Sequence, residues 1–248
     1  MSRSISIYVV THKEFNPPTG EIYVPIQVGK MFTKNELPYI GDDTGDNITQ
    51  KNKNYCELTA MYWIWKNDDS KIVGLCHYRR YFTVSAVFAN RMFFLTKSRI
   101  KKYLDNVDII VPYKQTHNMN VAEFYDYCDG RKSDLLKTRT VIEELYPEYL
   151  NDYDAFLRQN DAFYCNMLIA RKNIFDEYCE WLFSILQKVE DISDLSGYTQ
   201  TEARIYGYIS ELLLNVWVIH NNFSVKYCHV VNTDESIRAR IKRLLKGI

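Results

Sequence analysis

The sequence predicts an α/β fold, a mixed sheet flanked by helices with one helical insertion, and three observations carry that expectation. Short β-rich apolar runs recur at Ile5 to Val10, Ile72 to Cys76, Val107 to Val111, Phe163 to Ala170 and Val225 to Val231. Between them lie segments of helical periodicity, as at Leu58, Met61, Tyr62 and Trp65, spaced i, i+3, i+4 and i+7. No internal repeat or low-complexity tract divides the chain, so residues 1–248 read as one domain, and 46% hydrophobic residues fill a substantial core.

The opening strand hands over to Thr11-His12-Lys13 and a loop, Asn16-Pro17-Pro18-Thr19-Gly20, a strand-then-polar-turn arrangement that suits a nucleotide edge. An acidic turn-rich loop, Gly41 to Asn47, precedes a helix over Tyr55 to Asn67. The Ile72 strand follows, then a helix over Ser98 to Asp105 and a strand that Pro112 stops, with Lys114 and His117 in the next loop. Residues from about 119 to 159 form the helical insertion covering one side of the sheet, with Pro147 placed to open a helix at Glu148. Phe163 to Ala170 returns to strand, Asn173 to Val189 is a helix, and a long helix runs from Glu202 to His220 before the last strand. The tail, 234–248, is a basic amphipathic helix. Ile237, Ile241, Leu244, Leu245 and Ile248 share one face, with Arg238, Arg240, Lys242, Arg243 and Lys246 elsewhere.

Composition excludes several functions. The 31 basic and 31 acidic residues balance, which argues against nucleic acid as a partner, because that binding needs a basic surplus over one face. The six cysteines, at 56, 76, 128, 165, 179 and 228, contain no CxxC pair and read as buried free thiols of a reducing cytosol, not as a zinc site or a disulfide framework. No apolar run approaches the roughly 20 residues of a membrane span, and the N-terminus carries no signal-peptide core, so a cytoplasmic location is expected. Aromatic residues reach 15%, mostly for the core, with stacking on a base or sugar face as a further use.

The run Gly74-Leu75-Cys76-His77-Tyr78-Arg79-Arg80-Tyr81-Phe82 places nitrogen-rich side chains just past the carboxyl end of a buried strand, where open α/β sheets put their ligands. Alternation along an extended chain sends His77 and Arg79 to one face and Arg80 to the other. Such a set suits a phosphate, and it is equally the composition of an ordinary solvated surface cluster. Asp42, Asp43 and Asp46, or Asp68 and Asp69, could hold Mg²⁺ through carboxylate oxygens, although the demands of tight turns explain these acids equally well.

Asp46-Asn47-Ile48, Lys51-Asn52, Tyr55 to Ala60, Tyr62 to Asn67, Gly74 to Phe82, Tyr206-Gly207-Tyr208-Ile209-Ser210-Glu211 and Asn215-Val216-Trp217 together resemble a bacterial family first catalogued as a domain of unknown function. Its members occur among capsule, exopolysaccharide and lipopolysaccharide glycosyltransferases. The resemblance implies a GT-A-like, Rossmann-like nucleotide-sugar-binding fold and transfer of a hexose, galactose or galactofuranose in some relatives, from a UDP-sugar donor to a glycan or polyprenyl-linked acceptor. Inversion is the expected stereochemistry. Many enzymes of this fold carry an Asp-x-Asp metal signature after the central strand; here that strand ends in His77-Tyr78-Arg79, so the expectation is that no cofactor is required, with Mn²⁺ or Mg²⁺ on the acids as the alternative.

Within that frame His77, Arg79 and Arg80, with Lys13 or Lys53, neutralise the departing diphosphate, since guanidinium groups bind phosphate oxygens bidentately. Glu211, at the start of an apolar helical run in a tyrosine-rich setting, is the first choice for the base, with Asp161 and Glu202 in reserve. Thr11, His12, Lys13, Asn47, Lys51, Asn54 and Asn166 are candidate donor-binding residues. Asn and Thr at such positions also serve as helix caps, and Asn166 either satisfies a neighbouring loop or lines the sugar pocket. The basic tail either docks on its own domain or rests on an anionic membrane. A non-catalytic sugar- or nucleotide-binding module is the alternative function.

Overall fold

The computed structural model describes residues 3–18, 20–34 and 36–245. Its elements, in chain order, begin with β1 (Ile5–Thr11), β2 (Tyr23–Gln27), β3 (Ile40–Gly41), α1 (Asn52–Tyr55), α2 (Leu58–Asn67), β4 (Ile72–His77) and β5 (Arg80–Thr83). There follow α3 (Lys97–Leu104), β6 (Ile109–Pro112), β7 (Gln115–Thr116), α4 (Val121–Tyr127), α5 (Lys132–Leu145), α6 (Leu150–Leu157), β8 (Asp161–Ala162) and β9 (Ile169–Arg171). The chain closes with α7 (Lys172–Asp191), α8 (Ile205–His220), β10 (Val225–Asn232) and α9 (Ile237–Leu245).

The sheet is mixed. β1 lies parallel between β2 and β4, and β3 extends the β2 edge in parallel. β9 runs antiparallel to both β4 and β6, while β10 is parallel to β6 and antiparallel to β5. Alternation sorts side chains to two faces. Tyr8, Val10, Val73 and Leu75 pack under the helices α2, α7 and α8, and Ile5, Ile7, Val9 and Cys76 face Phe94, Leu95, Ile100 and Leu104. There is no room for a side chain at Gly74, where an added Cβ would lie 2.7 Å from Ile169 Cγ1 and 2.9 Å from the Leu168 carbonyl oxygen.

The insertion between residues 119 and 159 is helical, as its pattern predicts, and supplies α4, α5 and α6. Pro147 opens a 3-10 turn, Pro147–Tyr149, that leads into α6, and the Glu202 end of the long helix is likewise a 3-10 turn ahead of α8. Two expectations are corrected. The helix expected from Tyr55 to Asn67 breaks at Cys56, which sits at φ 53°; Asn52 Nδ2 donates to the Cys56 carbonyl at 2.8 Å and stabilises the break. The strand expected from Phe163 to Ala170 survives only as β9 at its end. The Phe163 amide and carbonyl are taken by the side chain of Asn215 on α8, at 3.1 and 2.9 Å, and Cys165 and Asn166 adopt left-handed φ of 81° and 50°. Backbone groups satisfied from the side no longer need a ladder.

In the tail, Arg240 is buried and not on the solvated face: it donates to the carbonyl oxygens of Val87 and Glu235 and pins α9 to the body. Ile237, Ile241 and Leu244 are exposed. The placements expected for Thr19, Lys246 and Ile248, and for the side chains of Arg243 and Leu245, lie outside the described residues. All six cysteines are free thiols, Cys128 exposed.

Candidate active site

β4 and β5 form a hairpin whose two-residue turn is Tyr78-Arg79, so His77 and Arg80 stand opposite one another. Both line one pocket of about 400 Å³. The expected alternation fails because the chain reverses: residues paired across a hairpin share a face. Arg79 therefore leaves the cluster. It lines a second cavity with Lys13 and Tyr78, its guanidinium over the Tyr78 ring and its Nη1 3.2 Å from Asp234 Oδ2.

The pocket with His77 and Arg80 also receives Glu57, from the junction of α1 and α2, and Glu211, from α8. Burial, and then the negative charge of Glu57, push the Glu211 carboxyl up to about 8; a backbone hydrogen bond at Cys165 and the charges of Arg80 and Arg204 oppose the rise. Burial holds the His77 imidazolium below its ordinary range, with Glu57 pulling the other way. His77 Nε2 is 2.8 Å from the Cys165 carbonyl oxygen, which can only accept, so the proton sits on Nε2. Two carboxyl groups, a neutral imidazole and the guanidinium groups of Arg80 and Arg204 thus converge on one recess. One carboxyl keeps its proton near neutrality.

Asn166 holds this arrangement together. Its side chain is 1% exposed, donates to Glu57 Oε1 at 2.8 Å and to the Gly207 carbonyl at 2.9 Å, and accepts from Ser210 Oγ at 2.8 Å. It satisfies its neighbours and orients Glu57 rather than lining the pocket. The left-handed backbone that aims it is one asparagine tolerates better than most residues.

The remaining candidates lie elsewhere. Thr11 closes its own turn, Oγ1 donating to the Lys13 carbonyl at 2.5 Å, while His12 and Lys13 surround the Tyr78 ring at 5.4 and 5.1 Å on the Arg79 side of the hairpin. Asn47 accepts from the Thr49 amide at 3.3 Å, closing its own turn. Lys51 pairs with Glu190 at 2.5 Å, Asn54 donates to the Ala203 carbonyl at 2.6 Å, and Lys53 lies over Phe32 at 5.4 Å. The reserve acids are tied as well, Asp161 to Lys114 at 2.8 Å and Glu202 to Arg131 at 2.8 Å.

Of the acids considered as metal ligands, Asp42 is engaged by its own loop. Asp42 is buried and accepts from the amides of Gly29 and Lys30, at 2.8 and 3.1 Å, and from the hydroxyls of Thr49 and Thr59, at 2.8 and 2.7 Å. Its oxygens are spent on the loop. Asp43 and Asp46 are exposed, Asp46 accepting from Tyr62 at 3.2 Å, and Asp68 takes the Tyr8 hydroxyl at 2.5 Å beside exposed Asp69. At the end of β4, where the fold's metal signature would stand, the chain offers His77, Tyr78, Arg79 and Arg80. Among the described residues no three His, Cys, Asp or Glu side chains are grouped to hold a metal ion.

Glu57, Arg204, Tyr125 and Tyr164 are pocket residues that sequence reasoning passed over. Glu57 carried a usable signal, an acid between the apolar Tyr55 and Leu58. For Tyr125 and Tyr164, within a tyrosine-rich chain, no local signal distinguishes lining from core.

Residues 6–222 match a family model described as a domain of unknown function, DUF4422. A comparison with curated proteins yields no match. The chain is similar to a solved structure described as the apo form of WbbM, a bifunctional glycosyltransferase, with a TM-score of 0.86 and 33% identity over 94% of this chain and 46% of that one. It thus spans about half the length of that protein. The shared architecture makes the present mixed sheet and its flanking helices a GT-A-like fold. By the extent of the family match, the chain belongs to the DUF4422 family.

Proposed function

We propose that the chain is an inverting glycosyltransferase that moves a hexose, galactose or galactofuranose, from a UDP-sugar to a growing, lipid-linked surface-polysaccharide acceptor. The observation that carries this reading is the recess in which Glu211, poised near neutrality, faces His77 and Arg80 across one pocket. In the step envisaged, Glu211 as carboxylate takes the proton of an acceptor hydroxyl while its oxygen bonds to the anomeric carbon. The bond from that carbon to the diphosphate breaks, and UDP leaves with the electron pair. Arg80 hydrogen-bonds the departing phosphate oxygens, each charge-assisted contact lowering the barrier by about 1.5–3 kcal/mol, while His77, neutral and donating through Nε2 to the Cys165 carbonyl, stands beside it in the pocket. Asn166 keeps Glu57 beside Glu211, and that neighbour raises the basicity of the catalytic carboxylate. No step is routed through a metal ion.

The acceptor's lipid has a matching surface. α9 exposes Ile237, Ile241 and Leu244 beside Arg238 and Lys242, the composition of a helix lying on anionic lipid. Leu244 lines a groove of about 450 Å³ that shares Arg80, Gln115, Tyr164 and Cys165 with the Glu211 pocket. No helix among the described residues is long and apolar enough to cross a membrane. The test is a screen of UDP-sugars for UDP release, with and without Mn²⁺ and with Glu211→Gln as control. Release from one donor that the variant abolishes is expected. Saturable donor binding without release by the wild-type chain would identify a binding module instead.

A further inference from the structure

β4 and β6 both run antiparallel to β9, so they are parallel to one another and their carboxyl ends lie on the same edge of the sheet. β4 brings His77 to that edge, and β6 brings Tyr113, one residue past its end. The Tyr113 amide donates to the Cys228 carbonyl at 3.0 Å, which continues the pairing with β10 and sets the ring beside the β10 side chains. Its centroid is 4.5 Å from that of His229 and 6.1 Å from that of Tyr227, with 26° between the two tyrosine planes. Tyr113 is nevertheless 48% exposed. The three rings make a platform on which Tyr113 stays half open to solvent.

Tyr113 and His229 line the groove of about 450 Å³ that meets the Glu211 pocket at Arg80, Gln115, Tyr164 and Cys165 and extends to Leu244 on α9. The cavity of Lys13, Tyr78 and Arg79, by contrast, shares no lining residue with that pocket. Gln115 stands half-buried at the junction, and its side-chain amide has no hydrogen-bond partner among the described residues, which leaves two donors and an acceptor for whatever enters. A sugar whose hydroxyl meets Glu211 is the last of a longer acceptor, and the rest of that chain needs a path out of the pocket. The groove supplies one, and it ends where the acceptor's lipid is proposed to rest. A pyranose has an apolar C–H face and a rim of hydroxyls, so it is complementary to an open aromatic plane with an amide beside it. We propose that the groove is the subsite of the acceptor's penultimate sugar: Tyr113 stacks on the face of that ring and the Gln115 amide bonds its rim. The assignment rests on the transferase reading and adds a determinant of acceptor choice outside the Glu211 pocket.

Binding is read on immobilised hexose oligosaccharides of one to four units, galactosides among them, with no donor present. The wild-type chain should hold a disaccharide or longer chain about fivefold more tightly than the monosaccharide that ends it. Tyr113→Ala should erase that preference, Tyr113→Phe, which keeps the ring, should retain it, and Gln115→Ala should reduce it. Thermal unfolding of each variant checks the fold, and if Tyr113→Ala is unstable the Gln115→Ala result decides. Equal affinity for monosaccharide and longer chains would overturn the proposal. So would a chain-length preference that both alanine variants keep, or no retention of the wild-type chain on any hexoside. UDP release by the wild-type chain, measured with a UDP-sugar and no acceptor, tests the transferase reading separately. Release without a chain-length preference removes the groove alone, whereas a preference that depends on Tyr113, without release, upholds the groove and removes the transfer.

Discussion

Replacing Glu211 by Gln tests the electrostatics of the pocket through stability, independently of any substrate. In the unfolded chain the Glu211 carboxyl titrates near its ordinary value of 4.5, and in the folded protein near 8. Between these values the folded state keeps a proton that the unfolded state releases, so stability falls as pH rises through the window and levels off above about 8. Each unit corresponds to about 1.36 kcal/mol, and the three and a half units of the window approach about 5 kcal/mol. Gln stays neutral throughout, so the stability of Glu211→Gln relative to wild type should be constant below pH 4.5 and climb steadily to pH 8. Urea unfolding of both proteins at pH 5, 6, 7 and 8 reads this as diverging midpoints. Parallel pH dependences would refute the burial and Glu57 repulsion invoked here. The same titration has the opposite sign for catalysis: a base must be ionised, so kcat/KM should rise with pH toward a midpoint near 8, fastest where the fold is weakest.

The hairpin geometry predicts that Arg80→Ala lowers turnover tenfold or more, whereas Arg79→Ala, which loses a solvent-exposed pair with Asp234, stays within about threefold; equal losses would contradict the division of the cluster. Asn166→Ala should destabilise the fold by about 1–3 kcal/mol, since it removes the hydrogen bonds to Glu57, to the Gly207 carbonyl and from Ser210, and should lower kcat as Glu57 loses its anchor. Denaturant midpoints and steady-state rates measured together would reveal whether only one of these changes. Gly74→Ala should cost about 1–3 kcal/mol by forcing Ile169 and the Leu168 carbonyl apart, and an unchanged thermal midpoint would show the strands to be more compliant than their spacing implies. Ile241→Glu should weaken sedimentation with phosphatidylserine vesicles several-fold while leaving UDP release in solution intact; unaltered sedimentation would remove α9 from the membrane.

Strands and helices were legible wherever apolar periodicity was unbroken, as in β1, β4, α7 and β10. The site was legible only in part, for reasons visible at particular residues. Glu211 could be singled out because an acid in an apolar helical run is conspicuous. His77 and Arg80 were found but assigned to opposite faces, because a hairpin with Tyr78-Arg79 at its tip carries none of the glycine or asparagine that usually announces such a turn. Asn47, Lys51, Asn54 and Asp42 have the composition of ligand-binding residues and serve as turn-closing and clamping contacts, a distinction that depends on which partners the fold brings within reach. Cys165 and Asn166 read as strand because their left-handed backbone is imposed from α8, through Asn215 and Ser210, and not by local sequence.

The Cys165-Asn166 dipeptide reaches three side chains of the pocket: its first carbonyl takes His77, its first residue's backbone engages Glu211, and its second side chain holds Glu57. A shift of that one segment would change the surroundings of Glu211 and His77 together. The carboxyl that must give up its proton and the imidazole beside it thus lean on one short piece of backbone, so their positions move together or not at all.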